Sequence, residues 1–273
     1  MFSSTIDALT IKASEISSPQ EIDYIQDGIL YCGHCRTPKQ CRLSFNGTDV
    51  KIFPCLCACK DRRFQAEREA QREQEQRMRI DSLRADGIRD NALAGCRFEN
   101  AEETPEIIKC RRYAEKWQTA KENNVGLLLW GGTGNGKTFT AACIANYLID
   151  RGIPALITSF PRILGADFEE RRKNLEIIRQ YPLLVVDDFG TERATDFALE
   201  TVYAVVDERY KSKRPLIVTT NLSLDELRRP QSIAQQRIYE RVLEMCTPIA
   251  FRGESRRQAI AKRRNDFVKE LLL

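Results

Sequence analysis

The sequence predicts an α/β fold: a parallel sheet built around a phosphate-binding loop, preceded by a small metal-stapled head and a charged linker helix. Three stretches carry that prediction. In "GLLLWGGTGNGKTFTAACIANYLI" (126–149) an apolar run gives way to a glycine-rich bend and then to helical periodicity. "LLVVDDFG" (183–190) ends an apolar run in two adjacent carboxylates, the pattern of a strand buried on both faces with acids at its carboxyl end. "YCGHCRTPKQCRLSFNGTDVKIFPCLCACK" (31–60) holds six of the ten cysteines.

With 273 residues the chain has room for one large domain and a smaller one. Its 42% hydrophobic and 30% charged residues are ordinary for a globular protein. No apolar run approaches membrane-spanning length, and "MFSSTIDALT" lacks the basic and apolar regions of a signal peptide, so no membrane partner is expected. Ten cysteines without such a signal point to a reducing, cytoplasmic setting and to metal binding rather than disulfides. His34 is the one histidine, which excludes most Ser-His-Asp and Cys-His chemistry. The net charge of +4 falls entirely after residue 222, where 11 Lys and Arg face 7 Asp and Glu. A basic tail of this kind fits phosphate or nucleic-acid contact, and equally a solvated surface.

In the head, Cys32 and Cys35 form a CxxC knuckle, and Cys55, Cys57 and Cys59 follow after a hairpin-like interval containing Asn46 and Gly47. Two thiolates from a knuckle and two from a return strand suit tetrahedral Zn²⁺, and four cysteines close the site, so its role is structural. Cys57 and Cys59 are the expected partners of the knuckle, with Cys55 the main alternative and Cys41 or His34 behind it. So small a segment depends on its metal to fold. From Asp61 to Asp90 strong helix formers and mixed charge dominate, while Phe64, Met78, Ile80 and Leu83 make no heptad seam; a solvated linker helix is expected. Cys96, Cys110, Cys143 and Cys246 stand singly and read as small buried apolar groups.

Gly131 to Thr138 reads G-x-x-x-x-G-K-T between an apolar strand (Leu127–Trp130) and a helical pattern, which is the P-loop in its required context. Gly131, Gly132, Thr133, Gly134, Asn135 and Gly136 form the bend whose N–H groups cradle the phosphates of ATP. Lys137 adds a point charge on the β- and γ-phosphates, and the Thr138 hydroxyl is a hard ligand for Mg²⁺. Asp187 then belongs to the Mg²⁺ shell, and Asp188 orients and polarises the attacking water. Asp188 reaches less far than a glutamate would, so slow hydrolysis is expected. "PLIVTTN" (215–221) ends an apolar run in Asn221, read either as a residue that positions the water or as a helix cap; Ser223 with Glu226 competes for the capping role. Phe197 to Tyr210 alternates at helical spacing as a packing face.

"GGTGNGKT", "LLVVDDFG" and "VTTNLS" in this order and spacing resemble the DnaC-like branch of the AAA+ ATPases, the bacterial and phage replicative helicase loaders. The resemblance covers roughly residues 95 to 260, and the cysteine-rich head looks like the zinc-binding N-terminal domain of many phage and Gram-positive loaders. It implies an AAA+ domain (95–273) with a five-stranded parallel sheet, after a zinc head (1–60) that docks on a replicative helicase and a linker helix (61–94). It also implies an ATP site at a subunit interface, hence self-association, and an arginine supplied in trans. That arginine maps to Arg241 in "QRIYERVLEMC", with Arg237 one turn earlier. The sensor arginine maps to Arg257 in "GESRRQ", with Arg256 beside it leaving the register open. An inserted helix that contacts single-stranded DNA corresponds to "FPRILGADFEERRKNLEIIRQY", with Arg162, Arg171, Arg172 and Lys173 as phosphate contacts, diluted by Asp167, Glu169 and Glu170. The expected function is ATP-dependent helicase loading. Insertion-sequence helper ATPases share nearly the same core but usually lack the zinc head, and an ATP-gated binding module with little turnover is a further alternative.

Overall fold

The computed structural model describes residues 19–45, 49–165, 168–190, 195–253 and 255–272. The chain divides into two compact units, Met1–Arg77 and Met78–Leu273.

The first unit carries two short hairpins. Strands β1 (Tyr24–Gln26) and β2 (Ile29–Tyr31) pair antiparallel through a turn at Asp27 and Gly28, whose φ values of 48° and 71° are those of a tight primed turn. Strands β3 (Gln40–Phe45) and β4 (Asp49–Pro54) form the second pair, and the Asn46–Gly47 turn expected between them lies outside the described residues. Lys39 is buried and its Nζ meets Asp23 Oδ2 at 2.6 Å. The other Asp23 oxygen accepts the Gly33 N–H at 3.1 Å, so this pair fixes the CxxC turn from behind. The bond from Lys39 holds the Asp23 carboxyl down at about 2.

Helix α1 runs Ala58–Gly87, and the division between the units falls within it. Its side chains are almost all solvent-exposed up to Arg79, as the mixed-charge composition predicts. The last turns differ: Ile80 and Leu83 pack against the apolar core of the second unit. Arg84 pairs with Asp150, which Arg97 also meets at 3.2 Å.

The second unit is an α/β layer structure. After the short helix α2 (Asn91–Ala94) and a 3₁₀ turn at Phe98–Asn100 come α3 (Pro105–Glu115) and α4 (Trp117–Glu122). The sheet follows as β5 (Gly126–Gly131), α5 (Lys137–Ile149), β6 (Ala155–Ser159), α6 (Phe160–Leu164), α7 (Phe168–Gln180), β7 (Leu183–Phe189), α8 (Asp196–Ser212) and β8 (Leu216–Thr220). It closes with α9 (Leu224–Arg228), α10 (Ile233–Met245), β9 (Cys246–Phe251) and α11 (Arg256–Leu272). The five strands are parallel in the order β6-β7-β8-β5-β9, the five-stranded parallel sheet implied by the resemblance. Period-two alternation feeds two cores: Leu127, Leu129, Leu183 and Val185 enter one, while Leu128, Leu184 and Val186 enter the other. Both faces are covered, which is why these strands read as unbroken apolar runs.

The four scattered cysteines are buried as expected, and burial pushes the thiols of Cys110 and Cys143 up to about 12. Among the described residues, no helix is long and apolar enough to cross a membrane.

Candidate functional site

The sheet order puts β5 between β8 and β9, next to the point where successive strands lie on opposite sides, the position at which open α/β sheets bind ligands at their strands' carboxyl ends. A cavity of about 330 Å³ opens there. Its floor is the bend 131–136 and the start of α5. Gly136 has φ 89° as the N-cap of α5 and offers no side-chain cap, so the first N–H groups of a 13-residue helix are left for a ligand. Gly134 has φ 79°, and a Cβ there would meet Ser255 Oγ at 2.1 Å. Its carbonyl accepts the Arg256 N–H at 3.0 Å, and Asn135 Nδ2 donates to Phe251 O at 3.1 Å, so β9 and α11 hold the bend in shape.

Lys137 is buried, and its Nζ donates to Gly131 O at 2.9 Å, Gly132 O at 2.6 Å and Asn221 Oδ1 at 2.9 Å. Burial lowers its pKa, against the pull of Asp188 and Asp187. Thr138 Oγ1 donates to Asp187 Oδ1 at 2.7 Å. Adjacent ligands of an octahedral Mg²⁺ lie about 2.9 Å apart, so this pair of hard oxygens has the spacing and chemistry to hold that ion. Asp188 lines the cavity, in the left-handed region at φ 55° beside an irregularity of the β7–β8 pairing. Burial, then the neighbouring Asp187, raises its pKa.

Asn221 faces the loop lysine, and the helix-cap role belongs to Ser223, whose capping box with Glu226 starts α9. Arg256 and Arg257 both line the cavity, so geometry does not separate the two registers. Arg256 also faces Glu102 at 3.6 Å.

Arg241 lies elsewhere. On α10 it ion-pairs with Asp207 at 2.8 Å, and its guanidinium stands 4.6 Å from the Tyr203 ring centroid and 5.4 Å from that of Tyr210. Arg237, one turn earlier, is exposed. Neither lines the cavity described above. Arg162 and Lys173 are exposed on α6 and α7, whereas the side chains of Arg171 and Arg172, and Asp167, lie outside the described residues.

One participant escaped sequence reasoning. Thr219, fully buried in β8, donates to Asp187 Oδ1 at 2.6 Å and accepts the Asp188 N–H at 3.0 Å. Two hydroxyls, Thr219 and Thr220, closing an apolar strand were the available signal.

In the head, the sulfurs of Cys32, Cys35, Cys57 and Cys59 all lie within 4.8 Å of one another. Tetrahedral Zn²⁺ needs thiolates about 3.8 Å apart; the Cys32–Cys59 and Cys57–Cys59 separations are 3.7 Å and 3.3 Å. The thiols differ in acidity: a hydrogen bond with Thr37 holds Cys35 down at about 5, while Cys57, then Cys35, push Cys59 up to about 12. Four thiols this close cannot all ionise without a cation among them. Cys55 turns away to the Pro38 carbonyl at 3.5 Å, and neither it, Cys41 nor His34 joins the cluster.

Comparison with known proteins agrees with this geometry. The chain is 31% identical over 147 residues to the replicative helicase loader DnaI of Bacillus subtilis strain 168, covering 48% of this chain and 47% of that protein. It is 29% identical over 145 residues to the replicative helicase loader DnaC of Escherichia coli K12, covering 48% and 58%. The chain thus spans about half the length of these curated relatives. A crystal structure of DnaI superimposes with a TM-score of 0.53 and 26% identity, covering 61% of this chain and 93% of that one. A family model described as "IstB-like ATP binding protein" matches residues 62–264, about three quarters of the sequence, and the chain belongs to that family.

Proposed function

We propose that the protein is an ATP-dependent loader of a replicative DNA helicase, acting in the cytoplasm. The observation that carries this reading is the convergence of Lys137, Thr138, Asp187 and Asn221 on the uncapped start of α5, in a family of ATP-binding proteins. The bend amides and Lys137 bind the phosphates of ATP. Thr138 and Asp187 would hold Mg²⁺, which supplies charge compensation to the phosphates when bound. Asp188 and Asn221 orient the water, and Arg257 or Arg256 senses the γ-phosphate from the same chain. A second copy supplies Arg241 to this site, which requires that guanidinium to exchange Asp207 for phosphate.

The division of labour follows the sequence expectation. Residues 1–60 form a head stapled by zinc on Cys32, Cys35, Cys57 and Cys59 that docks on the helicase. Residues 61–94 connect it to the ATPase domain at 95–273, which grips single-stranded DNA. Hydrolysis resets the complex. Support comes from the two relatives named as helicase loaders and from the cysteine cluster.

The test is calorimetric titration with ATP and Mg²⁺, followed by loading of the replicative helicase of the same cell onto circular single-stranded DNA with and without the protein. Binding in the first and ATP-dependent loading in the second are expected; a protein that binds no ATP, or that leaves loading unchanged, refutes the reading. The family match also favours a second reading, a helper ATPase for transposition. Co-purification with a transposase rather than a helicase would select it.

A further inference from the structure

Helix α11 carries an apolar face that the described residues leave open to solvent. Phe267 is 63% exposed, Leu271 69% and Leu272 79%, with Val268 beside them. Four large apolar side chains left open within six residues mark a surface that meets a partner. Arg257, Arg264, Phe267 and Leu271 follow one another at steps of seven, three and four residues, so they lie along one side of the helix. Lys262, Asp266 and Lys269 occupy the opposite side. The apolar side starts at the nucleotide cavity, which Arg257 lines. From there the helix axis runs about 15 Å to Phe267 and about 21 Å to Leu271.

A groove of matching character lies between α8 and α10. Leu199, Tyr203 and Ala234 give a cavity of about 430 Å³ its apolar lining, and Asp196 and Glu200 outweigh its single base, Arg237. Ile233, the sequence neighbour of Ala234, is exposed. This groove shares no lining residue with the nucleotide cavity. Helix α10 also bears Arg241, about 12 Å along the axis from Ile233.

These spacings fit each other across two copies. When Arg241 of one copy reaches the nucleotide cavity of another, its groove comes level with the apolar part of that copy's α11. Charge agrees: α11 holds six Lys and Arg against two Asp and Glu, and it would face a groove whose acids exceed its bases.

We propose that the apolar face of α11 seats in the α8–α10 groove of a second copy of this chain, the copy that lends Arg241. Arg264 then turns toward Asp196 and Glu200, and Phe267 and Leu271 lie against Leu199, Tyr203 and Ala234. This rests on the trans arginine of the function proposed above and adds to it a contact outside the nucleotide site. Helix and groove are different surfaces, so the contact is head to tail and leaves one of each free at the ends of an assembly.

The experiment uses the full chain, with sedimentation velocity in ATP and Mg²⁺ over a range of protein concentration. ATP binding is measured in the same buffer on dilute chains. Phe267→Ser/Leu271→Ser spoils the helix face, and Glu200→Arg/Ala234→Arg spoils the groove. Each variant alone is expected to associate at least about tenfold more weakly than the parent, at unchanged ATP affinity. Mixed, the two should form a dimer that grows no further, because each supplies the surface the other lacks. Matched melting temperatures show that both are folded. Variants that associate as the parent does overturn the seat while leaving the trans arginine in place. A groove variant that associates normally, or a mixture no stronger than its components, also overturns it, since α11 then meets a different surface. A parent that binds ATP but stays monomeric overturns both the seat and the trans arginine. A parent that associates through these two faces but binds no ATP keeps the seat and removes the loader.

Discussion

The Thr219 hydroxyl sits between the two acids of β7, donating to Asp187 Oδ1 at 2.6 Å and accepting the Asp188 N–H at 3.0 Å. A single buried hydroxyl thus orients a side chain and a main chain at once. Thr219→Val keeps the shape and removes both bonds, leaving the Asp188 N–H without its partner at a cost of about 1–3 kcal/mol. The expected result is an ATPase at least about tenfold slower that needs more Mg²⁺ for half-maximal rate, because a freed Asp187 no longer faces Thr138 at a fixed angle. Titrating Mg²⁺ at saturating ATP checks this; an unchanged Mg²⁺ requirement would show that Thr219 only packs.

Lys137 and Asn221 are bonded to each other at 2.9 Å but are expected to fail differently. Lys137→Ala removes the cation and should abolish measurable ATP binding. Asn221→Ala leaves the cradle intact, so binding should persist within about threefold while turnover falls about 10²-fold, the usual size of a lost positioning group. Equilibrium binding of a fluorescent ATP analogue, set beside single-turnover hydrolysis, separates the two.

How much of this was legible beforehand depended on whether the signal was local. The strand–bend–helix at 126–149 and the acids after Leu183–Val186 are adjacent in sequence, so period and residue type sufficed. Thr219 was not legible in the same way, because its partner depends on the register that sets Val186 against Val218 and on the shift between Val186 and Phe189. The ion pair of Arg241 with Asp207 joins two helices, α10 and α8, and no spacing rule relates them. Cys55 shows the reverse: it directly follows β4, whereas Cys57 immediately precedes α1, its carbonyl accepting the Asp61 N–H, and Cys59 lies in the first turn, and that change of backbone separates one thiol from the other two.

Arg209 illustrates a residue whose whole role is tertiary. It is fully buried, and its guanidinium donates to four carbonyls: Ile178 at 3.1 Å, Tyr181 at 2.8 Å, Pro182 at 3.0 Å and Pro215 at 2.5 Å. These belong to the end of α7 and the entries to β7 and β8, so one side chain ties three segments together. Arg209→Met fills similar volume but strips four carbonyls, two of them in fully buried bonds, of their donor. A loss on the order of 3–5 kcal/mol is expected, read as a lower urea midpoint with an unchanged slope.

The cysteine cluster makes a prediction confined to the head. Cys57→Ser, or a strong chelator, should remove one equivalent of zinc by elemental analysis and abolish protection of the amides of 20–57 from hydrogen exchange. The protection of β5 to β9 should be unaffected, since those strands belong to the separate unit 78–273. Loss of protection throughout the chain would show that the two units fold as one.

The titration of the nucleotide site should be squeezed from both sides. Lys137 holds phosphate only when protonated, and burial has lowered its pKa from 10.5. ATP affinity is therefore expected to fall as pH rises through that lowered value, before an ordinary lysine would discharge. Asp188 polarises water only when ionised, and burial with Asp187 beside it has raised its pKa from 3.8. Single-turnover hydrolysis should accordingly be lost, as pH falls, at a higher pH than an ordinary aspartate implies. The same shift has a stability signature of definite sign. A carboxyl whose folded pKa exceeds its unfolded one opposes folding when ionised, so the penalty is full above the folded pKa and gone below the unfolded value. Asp188→Asn should therefore raise the melting temperature at neutral pH, helped by the tolerance of asparagine for the left-handed backbone at φ 55°. That advantage should shrink as pH falls through the raised pKa, leaving only the backbone contribution. A melting-temperature difference independent of pH would mean that the carboxylate is solvated and ionises as an ordinary aspartate does, and the predicted upward displacement of the pH at which hydrolysis is lost would then be absent.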